Sequence, residues 1–150
     1  VTGVQTCALP ICNMLKKIEH IGIAVSNLKE SNLLFESLLG TPNYKTEVVG
    51  SEGVITSFFD VGTHKIELLQ ATDSNSPIAK FIDKRGEGVH HIAFEVEDIE
   101  AELARLKTKG FELIHETPKD GADNKRIAFL HPKTTNGVLV ELCQKRSNKE

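Results

Sequence analysis

Apolar and polar positions alternate along the chain in a pattern that predicts the same order of strands and helices twice. Residues 17–25 alternate as a strand does, with Ile21, Ile23 and Val25 on one face. A helix follows, capped by Ser26 or Asn27 and ended by Gly40. The pattern then predicts strands near 44–49, 54–61 and 65–70, and in the second half a strand at 89–96, a helix from Asp98 to Lys109, and strands near 111–115, 126–130 and 138–144.

Two pairs of segments align with each other and indicate an internal duplication. EHIGIAVSNLKES (19–31) aligns with HHIAFEVEDIEAE (90–102), which places His20 on His91. VGTHKIELLQ (61–70) aligns with TNGVLVELCQ (135–144), which places Glu67 on Glu141. The sequence therefore predicts an α+β fold of two βαβββ repeats, 17–70 and 89–144. A linker, 71–88, joins them and includes a short helix beginning near Ser76-Pro77.

The first thirteen residues differ in composition from the rest of the chain. They carry no charge and include Cys7 and Cys12, and the string VTGVQTCALPI resembles a translated sequencing adapter. We therefore expect 1–13 to be a non-native leader and 14–150 to be a single domain, with a natural tail as the alternative. The remaining cysteine, Cys143, leaves no partner for a disulfide in the body, which favours a reducing cytoplasm.

The overall charge and hydropathy narrow the possible partners. The net charge is -3, whereas a nucleic-acid-binding domain is ordinarily basic. No apolar run approaches the roughly 20 residues that a membrane-spanning helix needs. We expect a globular, soluble protein without a nucleic-acid or membrane partner.

The repeat-equivalent histidines and glutamates form the candidate chemical site. A lone histidine on a strand is ordinarily an unremarkable polar residue, but His20 and His91 are equivalent and share their faces with the small residues Gly22 and Ala93. Glu67 and Glu141 are equivalent too, and each lies in an apolar strand, where a carboxylate is costly to bury unless it is paired or bound to a cation. Two imidazoles and two carboxylates suit a divalent metal such as cobalt, nickel, zinc, manganese or iron. The neighbouring His90 is expected to point to the packing side.

Four strings carry a resemblance to a known family: IEHIGIAV, SPIAKFI, GVHHIAFEV and FLHPKTTNGVLVELCQ. With the βαβββ repeats, they resemble the vicinal oxygen chelate superfamily, and within it the methylmalonyl-CoA epimerases, over residues 17–144. The resemblance implies one cupped, barrel-like domain that forms a homodimer. It also implies a divalent metal, cobalt first and otherwise nickel, zinc or manganese. The ligands it implies are His20, Glu67, His91 and Glu141, although some members carry Gln where this chain has Glu67.

The resemblance further implies an activity and its acid-base residues. Members of that family interconvert the two epimers of methylmalonyl-CoA by removing the α-proton through a metal-stabilised enolate. Glu141 and Glu52 are the implied catalytic pair, with Glu47 as the alternative to Glu52. A coenzyme A thioester is then the partner, and Lys80, Lys84 and Arg85 are candidates for its phosphates. The alternatives are a glyoxalase I-type lactoylglutathione lyase and a non-catalytic small-molecule binding protein of the same fold.

Overall fold

The computed structural model describes residues 15–147, so the expected leader 1–13 lies outside the described residues. Eight strands, three α-helices and two short 3-10 helices make up this part of the chain. In chain order they are β1 (Leu15–Ala24), α1 (Leu28–Leu39), β2 (Lys45–Val49), a 3-10 helix (Gly50–Glu52), β3 (Val54–Val61), β4 (His64–Ala71), α2 (Pro77–Arg85), β5 (Gly88–Val96), α3 (Ile99–Thr108), β6 (Lys119–Asp120), β7 (Lys125–Leu130), a 3-10 helix (Pro132–Thr134) and β8 (Val140–Lys145).

The eight described strands form one sheet in the order β2-β3-β4-β1-β5-β8-β7-β6. Within each half the first strand pairs in parallel with the last, as β1 does with β4 and β5 with β8. The remaining pairs are antiparallel, including the β1–β5 pair that joins the halves at the centre. The strand order of the second half therefore mirrors that of the first. The prediction of an α+β fold built from two βαβββ repeats is confirmed.

Equivalent residues begin the two long helices. The side chain of Asn27 accepts a hydrogen bond from the Glu30 amide at the start of α1, at 3.1 Å. Asp98 accepts one from the Ala101 amide at the start of α3, at 3.0 Å. Gly40 ends α1 in the left-handed conformation, with φ 71°, which glycine adopts without steric cost. These caps lie where the sequence predicts them.

Each half packs its long helix on the sheet through its own apolar cluster. In the first half, Leu28 of α1 packs with Phe59 and Leu68 of the sheet. In the second, Ile99, Leu103 and Leu106 of α3 pack with strand residues such as Leu142. Buried polar side chains, among them Glu19, His20 and His91, lie on the central strands β1 and β5.

The predicted strand at 111–115 is wrong. This segment makes an isolated bridge between Leu113 and Leu130, and the short strand β6 begins only at Lys119. Pro118 immediately precedes β6, and a proline has no amide hydrogen with which to continue the ladder. The edge of the second half is consequently shorter than that of the first. None of the helices between residues 15 and 147 has the length and apolar character needed to cross a membrane.

Gln70 and Gln144 connect the last strand of each half to the first turn of its long helix. The Gln70 side-chain oxygen accepts a hydrogen bond from the Leu28 amide at 2.6 Å, and that of Gln144 accepts one from the Ile99 amide at 3.0 Å. The first amides of a helix have no partner within the helix, so these side chains supply one. The two glutamines align with each other in the sequence, and they make the same hydrogen bond in each half.

Replacing either glutamine by methionine should therefore destabilise the fold. We expect Gln70→Met and Gln144→Met each to lower the free energy of unfolding by about 1 kcal/mol, because each leaves a helix amide without its acceptor. Urea unfolding followed by circular dichroism measures the change. Glu97→Met, at an exposed position, is the control. Equal unfolding midpoints for the glutamine variants and this control would show that the two hydrogen bonds do not stabilise the helices.

Candidate metal centre and active site

Strand register brings the four repeat-related side chains together in two rows across the sheet. In one row, Gly22 of β1 pairs with Glu67 of β4 on one side and with His91 of β5 on the other. In the other row, Ala93 of β5 pairs with His20 of β1 and with Glu141 of β8. Paired residues project from the same face of a sheet, so each row presents one glutamate and one histidine on that face.

The small residue at the centre of each row gives the histidines room. A Cβ added to Gly22 would lie 2.1 Å from His91 Cε1, a distance that would force the ring to move. Ala93 holds the equivalent position in the second row and is fully buried. The position of the His91 ring therefore requires a residue without a side chain at Gly22.

The ligand atoms of the four residues converge on one point. His20 Nε2 lies 3.0 Å from His91 Nε2 and 3.0 Å from Glu67 Oε2. His91 Nε2 lies 3.6 Å from Glu67 Oε2 and 3.4 Å from Glu141 Oε2. Ligand atoms of His20, Glu67 and His91 all lie within 4.8 Å of one another. Glu141 stands farther from His20, with 4.0 Å between Oε1 and Nε2, and is not part of this tightest group.

All four side chains are buried, with at most 5% of each residue exposed. Burial lowers the pKa of His20, but the carboxylates of Glu67 and Glu19 outweigh this effect and raise it above its ordinary value. Burial raises the pKa of Glu67, and the adjacent His20 reverses the shift. Burial also raises the pKa of Glu141. Burial therefore disfavours the charged form of both Glu67 and Glu141, and a positive charge nearby would stabilise it.

A divalent cation fits this arrangement in charge and in donor chemistry. Two neutral imidazoles and two carboxylates give a total charge of -2, which one divalent ion would balance, and the mixed nitrogen and oxygen donors suit first-row metals. Without a cation, the two buried carboxylates would have to be neutralised by bound protons, because burying their unpaired charge is costly. The residues present therefore fit a metal of the kind that the sequence analysis expects.

The four side chains line one cavity, which opens to solvent. Its walls are mainly apolar: Val49, Val54, Phe58, Leu69, Ile78, Ile127 and Phe129. A mostly apolar cleft with a few convergent polar groups is the usual form of a small-molecule site. The charged groups that join the four in the lining are Glu52, Asp123 and Lys125.

The structure separates the two further glutamates that the sequence analysis considered. Glu52, at the end of the 3-10 helix, lines the cavity and forms a salt bridge with Lys119. Glu47 on β2 instead accepts a hydrogen bond from the Asp123 amide at 3.0 Å and lies 2.8 Å from Lys45 Nζ. Glu52 and Glu141 thus lie on one cavity, whereas Glu47 belongs to a neighbouring ionic network.

The expectation that His90 points to the packing side is wrong. The register of β5 skips His90, because Gly22 pairs with His91 while Ile23 pairs with Val89. This bulge turns His90 toward the cavity, where its Nδ1 lies 2.9 Å from His91 Nδ1. Glu19 is skipped in the same way on β1 and contacts Nδ1 of His20. In the sequence, the signal for Glu19 and His90 was that each is a polar residue directly before a candidate histidine ligand.

Comparison of the sequence with known proteins identifies its relatives. The sequence model of the glyoxalase/bleomycin resistance protein/dioxygenase superfamily matches residues 19–129. The mitochondrial methylmalonyl-CoA epimerase of Dictyostelium discoideum is 41% identical over 130 residues, covering 86% of this chain and 78% of that protein. The ethylmalonyl-CoA/methylmalonyl-CoA epimerase of Cereibacter sphaeroides is 40% identical over 133 residues, covering 87% of this chain and 99% of that protein.

A solved structure extends the similarity to three dimensions. A variant of Streptomyces coelicolor methylmalonyl-CoA epimerase, in complex with 2-nitronate-propionyl-CoA, superposes with a TM-score of 0.85 and 35% identity. The match covers 89% of this chain and 96% of that one. The chain therefore belongs to the glyoxalase/bleomycin resistance protein/dioxygenase superfamily and, within it, to the methylmalonyl-CoA epimerase family, whose members are isomerases.

Proposed function

We propose that the protein interconverts the two epimers of methylmalonyl-CoA and that the reaction depends on a divalent metal. The observation that carries the proposal is the convergence of two repeat-related His–Glu pairs in an apolar cavity. Family membership narrows the reaction to epimerisation, since the curated relatives carry that activity in their names. Complexes of a relative with a coenzyme A thioester analogue support the substrate class.

The proposed ligands are His20, Glu67, His91 and Glu141. When bound there, a divalent cation, with cobalt as the first expectation and nickel, zinc and manganese as alternatives, would act as a Lewis acid that stabilises the enolate. Glu67 and the two histidines form the tightest group of ligand atoms. Glu141, at the edge of this group, is free to serve also as an acid-base residue.

Inversion at the α-carbon needs one group to remove a proton and another, on the opposite face, to return one. We assign these roles to Glu141 of β8 and Glu52 of the first 3-10 helix, which line the same cavity. Burial raises the pKa of Glu141, so its carboxylate holds a proton more readily than an exposed one would.

A second groove offers a place for the coenzyme A phosphates. Lys80, Lys84 and Arg85 line it together with Phe81 of α2. His90 and Pro77 line both this groove and the metal cavity, so the two are adjacent. We therefore propose that the acyl end of the thioester binds in the metal cavity and that its phosphates lie along α2.

We also propose that the protein is cytoplasmic and forms a homodimer. Cys143 is a buried free thiol, which suits a reducing compartment. The homodimer follows from the family resemblance, and sedimentation equilibrium would measure it directly.

The metal site gives the first test of this proposal. We expect the purified protein to retain about one divalent ion per chain after dialysis, since four donors converge. His91→Ala should abolish tight binding because it removes a donor from the tightest group. His64→Ala, at the exposed start of β4, is the control and should retain the metal. Elemental analysis measures the content, and full metal content in His91→Ala would refute the site.

The reaction gives the second test and separates the alternatives. We expect metal-dependent exchange of the α-proton of methylmalonyl-CoA with solvent deuterium, measured by NMR, together with interconversion of its epimers. Glu141→Gln should nearly eliminate turnover, because it removes an anionic donor and a proton-transfer group. Activity only toward the glutathione hemithioacetal of methylglyoxal would favour a glyoxalase I-type lyase. Neither activity and no metal binding would favour the non-catalytic binding protein.

Glu52 gives the third test. We expect Glu52→Gln to bind metal normally but to lower kcat by roughly 10²-fold, the usual scale for a positioned acid-base group. Glu47→Gln is the matched comparison, since Glu47 lies outside the cavity lining and pairs with Lys45. Steady-state kinetics of both variants decide between them. Full activity in Glu52→Gln with loss in Glu47→Gln would transfer the role to Glu47.

A further inference from the structure

Glu19 is a buried carboxylate to which the proposed reaction assigns no role. It lies directly before His20 on β1, and only 2% of the residue is exposed. Adjacent residues of a regular strand point to opposite faces, but the β1–β5 register skips Glu19, pairing Ile18 with Phe94 and His20 with Ala93. The bulge thus buries two consecutive polar residues and lets the Glu19 carboxylate reach Nδ1 of its own neighbour.

A balanced ionic network holds Glu19 in place on the side away from His20. Its Oε1 forms a salt bridge with the buried Lys125 and lies 3.0 Å from Lys65 Nζ. Asp123 continues the network, 2.8 Å from Lys65 and 3.5 Å from Lys125. Because two ammonium groups face Glu19, the carboxylate stays ionised and can only accept hydrogen bonds.

An acceptor-only partner at Nδ1 determines what the other ring nitrogen can do. Nδ1 must carry the hydrogen that Glu19 accepts, so the lone pair of the neutral ring lies on Nε2. That atom is the one that faces Glu67 Oε2 and His91 Nε2, both at 3.0 Å. Glu19 therefore fixes both the tautomer and the direction of the ring.

The equivalent position in the second half has different chemistry. His90 precedes His91, lies in the bulge of β5 and meets His91 at Nδ1, 2.9 Å away. An imidazole is a weaker acceptor than a carboxylate, and no ammonium network comparable to that of Glu19 adjoins His90 among its described contacts. The two histidines are thus held unequally, and His20 has the stronger support.

We propose that Glu19 is a positioning residue that orients His20 toward the metal. The inference rests on the proposed function, because it concerns the same site. Outer partners of metal-bound histidines commonly raise ligand basicity and fix ring orientation. The role predicts an effect on metal affinity that is separable from any effect on folding.

The test replaces the buried pair by apolar residues of similar length. Glu19→Met/Lys125→Met removes one negative and one positive charge, and leaves Lys65 paired with Asp123. Because replacing a buried ion pair in this way is commonly neutral or stabilising, we expect the melting temperature to be maintained. The Kd for Co²⁺, measured by chelator competition, should rise roughly 10- to 100-fold, and the visible spectrum of the bound ion should shift.

Two controls separate orientation from general structural damage. Glu102→Met/Arg105→Met makes the same replacement in a buried glutamate's ion pair on α3, outside the cavity lining. Lys125→Met alone leaves Glu19 with Lys65 and His20. Both should bind Co²⁺ with the wild-type Kd.

The outcomes are distinct. Weakened binding in the Glu19 double variant alone supports the positioning role. Wild-type affinity in that variant, or an equal loss in Lys125→Met, would overturn it. Failure of the wild-type chain to bind any of Co²⁺, Ni²⁺, Zn²⁺ and Mn²⁺ would instead refute the proposed metal dependence itself.

Discussion

The antiparallel pairing of β1 with β5 is the constraint on which the rest of the structure depends. It joins the two halves, and both histidines lie on it. Only when His20 lies opposite Ala93 and Gly22 lies opposite His91 do the two rows of donors face one cavity. A slip of one residue would turn every side chain of a strand to the other face. Each half has its own apolar cluster. The register of the β1–β5 seam, the strand pair between the halves, therefore determines whether the four donors meet.

Electrostatics explains why the polar residues of the seam occur in sets. Glu19, Glu67 and Glu141 are all buried, and an isolated buried carboxylate is too costly to persist. Lys125 and Lys65 compensate Glu19, while the histidines lie beside Glu67 and Glu141. The interior thus contains two adjacent groups of charged side chains. In one, lysines neutralise Glu19; in the other, the two glutamates and two histidines could bind a cation. His20 contacts both.

Most of the fold and the candidate donors could be predicted from sequence because their signals are local or repeated. Asn27 and Asp98 mark helix starts through cap chemistry that acts over three residues. The equivalence of His20 with His91 is visible by alignment alone. The bulges at Glu19 and His90 could not be predicted, because a bulge is defined by the register of two strands about 70 residues apart. The strand predicted at 111–115 was wrong, because this segment makes only an isolated bridge between Leu113 and Leu130 although its residues alternate as in a strand.

The division of the donors between the halves bears on how such a protein could arise. Each half contributes one histidine and one glutamate, so two copies of a single ancestral half-chain, paired as β1 pairs with β5, would present the complete set. Joining the copies in one chain lets each position change on its own. Glu19 and His90 have diverged at equivalent places. The repeated architecture thereby combines a symmetric set of donors with asymmetric surroundings, since a carboxylate supports one histidine and an imidazole the other.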